Sequence, residues 1–167
     1  SLADAQACAQ AVSQPLAECF SLAFSGLSTL CTRDTAASLA TGERLTALAA
    51  KHGFAHWQLF GPFCSAISLI QQGQHQEGIA ALLPALDSQH KSGLTGNVPS
   101  WYAHLGYAYA HMGWPEQAHA EFGRSIAALE RTGERYHEAL VYRLQGEVLW
   151  MQGDEAGAEA SFEHAIQ

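Results

Sequence analysis

A period of forty residues runs through this chain and constrains its fold more than any other feature. Glycine recurs with this period in three series, and another residue replaces it at one step in two of them. The series are Gly53, Gly93 and Gly133; Gly73, Gly113 and Gly153, with Arg33 one step earlier; and Gly26, Gly106 and Gly146, with Ala66 in the gap. Three series in one register are hard to obtain by chance. The chain is therefore predicted to be an array of similar repeats, each packed on its neighbours.

Each repeat is predicted to contain two helices. Ala118, Phe122 and Ile126 follow one another at steps of four residues, which places them on one face of an amphipathic helix. Pro115 suits the first turn of this helix, and Gly133 suits the left-handed residue that ends it. No segment of the sequence alternates polar and apolar residues as a strand would.

The expected fold is all-α, with about four helix pairs that form one domain over residues 1–167; the resemblance given below implies that they wind into a right-handed α-α superhelix. The predicted repeats cover about 15–53, 54–93, 94–133 and 134–167, and residues 1–14 are expected to end a preceding repeat. The predicted helices cover about 2–13, 15–32, 34–52, 55–72, 75–92, 99–112, 115–132, 135–152 and 154–167. Because the chain begins with Ser1 and its last helix reaches Gln167, we expect a fragment of a longer protein.

The composition argues against several kinds of partner. Eight Lys and Arg residues against sixteen Asp and Glu give a formal charge of −8, and nucleic acids and anionic membranes are bound by clustered cations. No apolar stretch approaches the roughly 20 residues of a membrane span, and the charged and apolar segments of a secretory signal are not found, so we expect neither feature. We expect a cytoplasmic protein that contacts neither nucleic acid nor membrane. Its cysteines lack metal-ligand spacing and are predicted to be small buried thiols in a reducing compartment. They are Cys8, Cys19, Cys31 and Cys64.

A search for catalytic and metal-binding motifs gives no candidate. The phosphate-binding pattern G-x-x-x-x-G-K-[ST] does not occur. His52 and His56 are separated by the helix-breaking Gly53, and His104 and His111 have no Cys or carboxylate that would complete a tetrahedral site. We therefore expect no catalytic residue, no metal and no cofactor, and we interpret the histidines as scattered polar or half-buried side chains.

The pattern of small and large residues in each repeat resembles the tetratricopeptide repeat. The third repeat matches it through Tyr102, Leu105, Gly106, Tyr109, Ala118 and Phe122, and the fourth through Tyr142, Gly146, Leu149, Ala158, Phe162 and Ala165. The period here is longer than the 34 residues of that family. Small residues are expected to let the two helices of a repeat approach closely, and aromatic rings are expected to fill the space beside them. The small residues are Gly26, Ala66, Gly106, Gly146, Gly78, Ala118 and Ala158, and the rings are Phe122 and Phe162.

Three runs, at 51–57, 72–80 and 132–149, resemble a narrower group of sequences. This group is the C-terminal helical region of large bacterial predicted ATPases, in which an adenylate/guanylate cyclase domain or a winged-helix DNA-binding domain precedes the ATPase. The resemblance implies a non-catalytic protein-interaction or regulatory module of a cytoplasmic signalling protein or transcriptional regulator. No active-site residue of that group falls within this chain.

In tetratricopeptide superhelices the first helix of each repeat lines a concave surface, and this register implies a partner groove here. The implied groove residues are Phe20, Leu27, Phe60, Phe63, Ile67, Tyr107, Arg143, Glu147 and Trp150. Two interpretations of this face stay open. It could be core, because longer helices tighten the superhelix, or it could receive a peptide, another domain of the parent chain, or a second copy in a homodimer.

Two other functions also stay open. A small inducer could bind between Tyr107, Arg143, Glu147 and Trp150, which would make the module a sensor. The repeats could instead serve as an oligomerisation scaffold.

Overall fold

The structure, a computed structural model, describes residue 4 and residues 14–93, 96–133 and 135–167. All regular elements in these ranges are helices, so the predicted all-α class is confirmed. They are α1 (Pro15–Cys31), α2 (Thr35–His52), α3 (Ala55–Gln58), α4 (Phe60–Gln71), α5 (His75–Ser92), α6 (Val98–His111), α7 (Pro115–Thr132), α8 (Glu138–Met151) and α9 (Glu155–Ala165). Apart from residue 4, the predicted helix at 2–13 lies outside the described residues.

The glycines of two of the three series mark the ends of helices. Gly53, Gly73, Gly93, Gly113, Gly133 and Gly153 all have φ between 66° and 84°. Glycine adopts this left-handed conformation without the steric cost that a Cβ brings. Arg33, which replaces glycine in one series, has the same conformation with φ 57°.

Two predicted helices have different bounds in the structure. The helix predicted at 55–72 is broken at Leu59, between α3 and α4. Pro62 lacks the N–H that would bond to the carbonyl of Gln58 in a continuous helix, and its ring crowds that carbonyl. The helix predicted from residue 135 begins at Glu138, because the chain first makes a turn that ends at His137. The backbone carbonyl of His137 accepts a hydrogen bond from the amide of Val141 at 2.9 Å.

The helices group into two compact parts, an N-terminal half (Ser1–Ser92) and a C-terminal half (Gly93–Gln167). Each half contains two of the four predicted helix pairs. In the N-terminal half α2 packs against α1 and α4, and α5 packs against α4. In the C-terminal half α7 packs against α6, α9 packs against α8, and α6 also packs against α8. In each half, the first helix of the second pair therefore packs against the first pair.

Small residues bring the two helices of a pair together. A Cβ added to Gly106 would lie 2.9 Å from the ring of Phe122, and one added to Gly146 would lie 2.6 Å from the ring of Phe162. A Cβ added to Gly78 would lie 2.5 Å from Ile70 of the same pair, whereas one added to Gly26 would lie 3.0 Å from the ring of Phe60 on α4, the first helix of the next pair. The expected role within one pair is therefore wrong for Gly26. The remaining small residues are also buried; they are Ala66, Ala118 and Ala158.

A further close approach, between α2 and α4, was not expected from the repeat. A Cβ added to Gly61 would lie 2.8 Å from the backbone oxygen of Gly42 and would collide with Thr46. We expect Gly61→Ala to lower the free energy of unfolding by about 2 kcal/mol, since the backbone of α2 cannot move aside as a flexible side chain could. The matched control is Gly123→Ala on α7, where a Cβ meets nothing within 4 Å. Gly123→Ala should raise the stability by up to about 1 kcal/mol through helix propensity. Urea unfolding of both variants tests this, and shifts in the same direction would contradict it.

The cysteines do not share one environment. Cys19 and Cys64 are buried, as predicted, whereas Cys31 is exposed at the end of α1. The prediction of burial is wrong for Cys31, which is the last residue of α1 and is exposed there. Cys8 lies outside the described residues.

Candidate functional site

The implied groove residues differ sharply in exposure. Phe60, Phe63 and Ile67 are buried, and Phe63 is only 1% exposed. They lie on α4, which packs against α1, α2, α3 and α5 of its own half. These three side chains are therefore core residues and not surface residues, contrary to their assignment to the groove.

The other groove residues of the N-terminal half lie on α1. Phe20 is 48% exposed, and its ring packs edge-on against Trp57 with 4.8 Å between centroids. Leu27 is half-buried. Only part of the implied groove in this half is thus accessible, along one side of α1.

In the C-terminal half the implied groove residues lie on a mixed polar and aromatic surface of α6 and α8. The ring of Tyr107 on α6 lies 4.4 Å from that of His111, one turn later. Arg143 and Glu147, one turn apart on α8, form an ion pair with half-exposed side chains. Burial lowers the pKa of His111, and the nearby carboxylate of Glu147 raises it in part. We call these four residues the α6–α8 face. Trp150 lies at its edge and is 62% exposed.

Two buried histidines lie in the same half. Nδ1 of His104 donates a hydrogen bond to the carbonyl of Ser100 at 2.7 Å. Burial lowers the pKa of His104 to about 4; the carbonyl of Ser100 raises it in part, and Arg143 and His137 lower it further. The ring of His137 bonds through Nε2 to Oδ1 of Asn97 at 2.8 Å, and burial lowers its pKa to about 4. Both imidazoles are therefore neutral at neutral pH.

The expectation of polar or half-buried histidines is wrong for His104 and His137, which are both buried, although the repeat register contains a signal for them. His104 occupies the same repeat position as Cys64 and Leu144, and both of those side chains are buried. His137 and Asn97 occupy equivalent positions in consecutive repeats and bond to each other. The repeat register thus indicates that the imidazole of His104 belongs to the core and that His137 and Asn97 contact each other.

Neither a cluster of metal-ligating side chains nor an activated buried thiol is found in the described ranges. Within them, no group of three or more His, Cys, Asp or Glu could hold a metal ion. Burial raises the pKa of the Cys64 thiol to about 12, which keeps it from acting as a thiolate nucleophile. None of the helices in the described ranges has the length and apolar content needed to cross a bilayer. The α6–α8 face can stack on planar groups of a ligand, form ion pairs with charged groups and donate hydrogen bonds.

No protein-family model, no curated protein and no solved structure matches this chain. The repeat, the helix packing and the exposed side chains are consequently the grounds for a functional proposal.

Proposed function

We propose that this chain is a non-catalytic protein-interaction module built from tetratricopeptide-like helix pairs, and that it binds a protein segment on the α6–α8 face. The observation that carries the proposal is that an aromatic ring, a cation and a carboxylate are partly exposed on two adjoining helices. Tyr and Arg are enriched at the centres of protein interfaces, where they contribute most of the binding energy. The sequence resemblance further supports a regulatory role within a bacterial signalling ATPase, a cyclase or a transcriptional regulator.

The ion pair between Arg143 and Glu147 suits such a role. Its side chains are 40% and 30% exposed, and a pair this exposed contributes at most about 1 kcal/mol to stability. Breaking it therefore costs the fold little. Arg143 can exchange its intramolecular partner for a carboxylate of the bound segment, and the ring of Tyr107 supplies contact area at low entropic cost.

Selection from a random peptide library displayed on phage, with the whole chain immobilised, tests this function. Enriched peptides are then titrated by fluorescence anisotropy against the chain and against Arg143→Ala and Tyr107→Ala. We expect each variant to weaken binding about tenfold, since removing an interface anchor costs about 1–2 kcal/mol. The matched control is Arg131→Ala, which removes an exposed arginine at the end of α7. Circular dichroism establishes that each variant is folded. Enriched peptides that bind all three variants equally well would contradict the proposal.

A further inference from the structure

We propose that the segment bound on the α6–α8 face carries an acidic and a basic residue about one helical turn apart, and that these pair with Arg143 and Glu147. The inference rests on the proposed function and assigns the charge pattern of the partner segment. Arg143 and Glu147 are half-exposed and form an ion pair on α8. Three features single this pair out: the order of its charges, its place in the repeat and its position beside α6.

The ion pair has the order of charges that stabilises a helix less. Arg143 precedes Glu147 by four residues. In a helix, an acidic residue four positions before a basic one is more stabilising than the reverse order, because the helix dipole favours negative charge toward the N-terminus. The order on α8 is therefore not the one that helix stability favours. Ion pairs within α5 and α7 have the acidic residue first; they join Asp87 to Lys91 and Glu121 to Arg124.

The repeat does not require charge at these two positions. In the second repeat they are occupied by Phe63 and Ile67, and in the third by Ala103 and Tyr107. The packing of the repeats therefore does not account for the two charges on α8. Tyr107 is half-exposed although α8 packs against α6, so a following helix pair leaves this position accessible. Glu147 occupies the same position one repeat later.

Both charges lie close to α6, where the aromatic rings of the face are. Burial lowers the pKa of His104, and the guanidinium of Arg143 lowers it further. Burial also lowers the pKa of His111, which the carboxylate of Glu147 raises in part. Each charge is therefore near a histidine of α6. Because the ring of His111 lies 4.4 Å from that of Tyr107, a segment laid along α6 and α8 meets the rings and both charges.

Two opposite charges at a fixed spacing favour a partner with the complementary pair. A segment with acidic residues alone would be repelled by Glu147, and the formal charge of −8 adds to this repulsion. A segment with basic residues alone would be repelled by Arg143. A segment with one of each satisfies both charges and is distinguished from the other two. The two residues are about 6 Å apart along α8, which matches residues four apart in a helical segment or two apart in an extended one.

An exchange of the two charges tests the inference. The variant Arg143→Glu with Glu147→Arg keeps an ion pair on α8, reverses its polarity and places the acidic residue first. We expect it to unfold at the same urea concentration as the unaltered chain or at a slightly higher one. Peptides selected by phage display on the unaltered chain should bind this variant about tenfold more weakly, because two attractive contacts become repulsive. Exchanging the acidic and the basic residue within such a peptide should restore its binding to the variant.

A second comparison leaves Arg143 unchanged. Replacing the basic residue of a selected peptide by glutamine should weaken its binding to the unaltered chain about threefold, as expected for one exposed ion pair. The same change in the peptide should have no effect on binding to Glu147→Gln, because the carboxylate that pairs with it is absent there. An equal effect on both chains would overturn the inference.

The matched control is the opposite exchange on α5, Asp87→Lys with Lys91→Asp, at an exposed pair of the N-terminal half. It should leave peptide binding unchanged. Selected peptides that bind the exchanged α8 variant as well as the unaltered chain, but not Tyr107→Ala, would overturn this inference and leave the proposed function standing. Failure to select any peptide that depends on Tyr107 would contradict the proposed function, and this inference with it. A marked loss of stability in the exchanged α8 variant would also overturn the inference, because the order of the charges would then serve the fold.

Discussion

Lowering the pH from about 7.5 to about 5 should reduce the free energy of unfolding by about 4 kcal/mol, of which His104 and His137 contribute about 2 kcal/mol each. Burial lowers the pKa of both from 6.5 to about 4 in the folded chain. The unfolded chain therefore takes up a proton at a pH where the folded chain does not. The stabilisation is fully present above pH 6.5 and is lost as the pH falls toward 4.

The neighbours of His104 make its protonation costly for identifiable reasons. The carbonyl of Ser100 accepts from Nδ1, but Arg143 and His137 would both repel an imidazolium. Glu121 acts in the opposite direction, because burial raises the pKa of its carboxyl and this group gains stability on acidification. Glu121 therefore offsets part of the loss of about 4 kcal/mol that the two histidines cause together.

Urea unfolding at several pH values, followed by circular dichroism, measures this loss. His104→Leu should remove about half of the pH dependence, and leucine is compatible with the site because Leu144 occupies the equivalent position in the next repeat. The matched control is His119→Gln on α7, which replaces an exposed histidine. An unchanged pH dependence in His104→Leu would mean that His104 is not the buried neutral imidazole described above.

The helix ends could be predicted from the sequence because the chemistry that sets them is local. Gly113 and Gly133 end α6 and α7 as left-handed residues, which follows from one residue type at one position. The break at Leu59 has a local cause in the hydrogen bond to Gln58 that Pro62 removes, but Pro84 lies inside the continuous α5, so a proline does not by itself predict a break. The forty-residue period by itself does not predict the break at Leu59.

Exposure of the implied groove could not be predicted in the same way, because it depends on which helices lie beside each position. Ile67, Tyr107 and Glu147 occupy one repeat position, yet Ile67 is buried and the other two are half-exposed. Helix α4 has neighbours on several sides within its own half, whereas α8 packs mainly against α6 and α9. The residue type changes along this series from the apolar Ile67 to the charged Glu147. This change is the signal in the sequence that indicates burial in one repeat and exposure in another.

Substitution of Phe63 should distinguish a core from a groove more clearly than any other change in the N-terminal half. Phe63 is 1% exposed and meets the ring of Phe60 edge-on, with 5.9 Å between centroids. Phe63→Ala should lower the free energy of unfolding by about 4 kcal/mol, because it removes a buried ring and leaves a cavity. Phe63→Asp should leave the N-terminal half unfolded at neutral pH, since it also buries an unpaired charge.

The matched control is Phe20→Ala on α1, whose ring is 48% exposed and makes its edge-on contact with Trp57. Its cost should not exceed about 1 kcal/mol, because about half of the ring is in water before the change. Circular dichroism and urea unfolding of the three variants measure the difference. A folded Phe63→Asp variant with near-native stability would mean that α4 presents this side chain to solvent, as its assignment to the groove requires. Loss of the fold in Phe63→Asp together with a mild effect of Phe20→Ala confines the accessible part of the implied groove in the N-terminal half to α1.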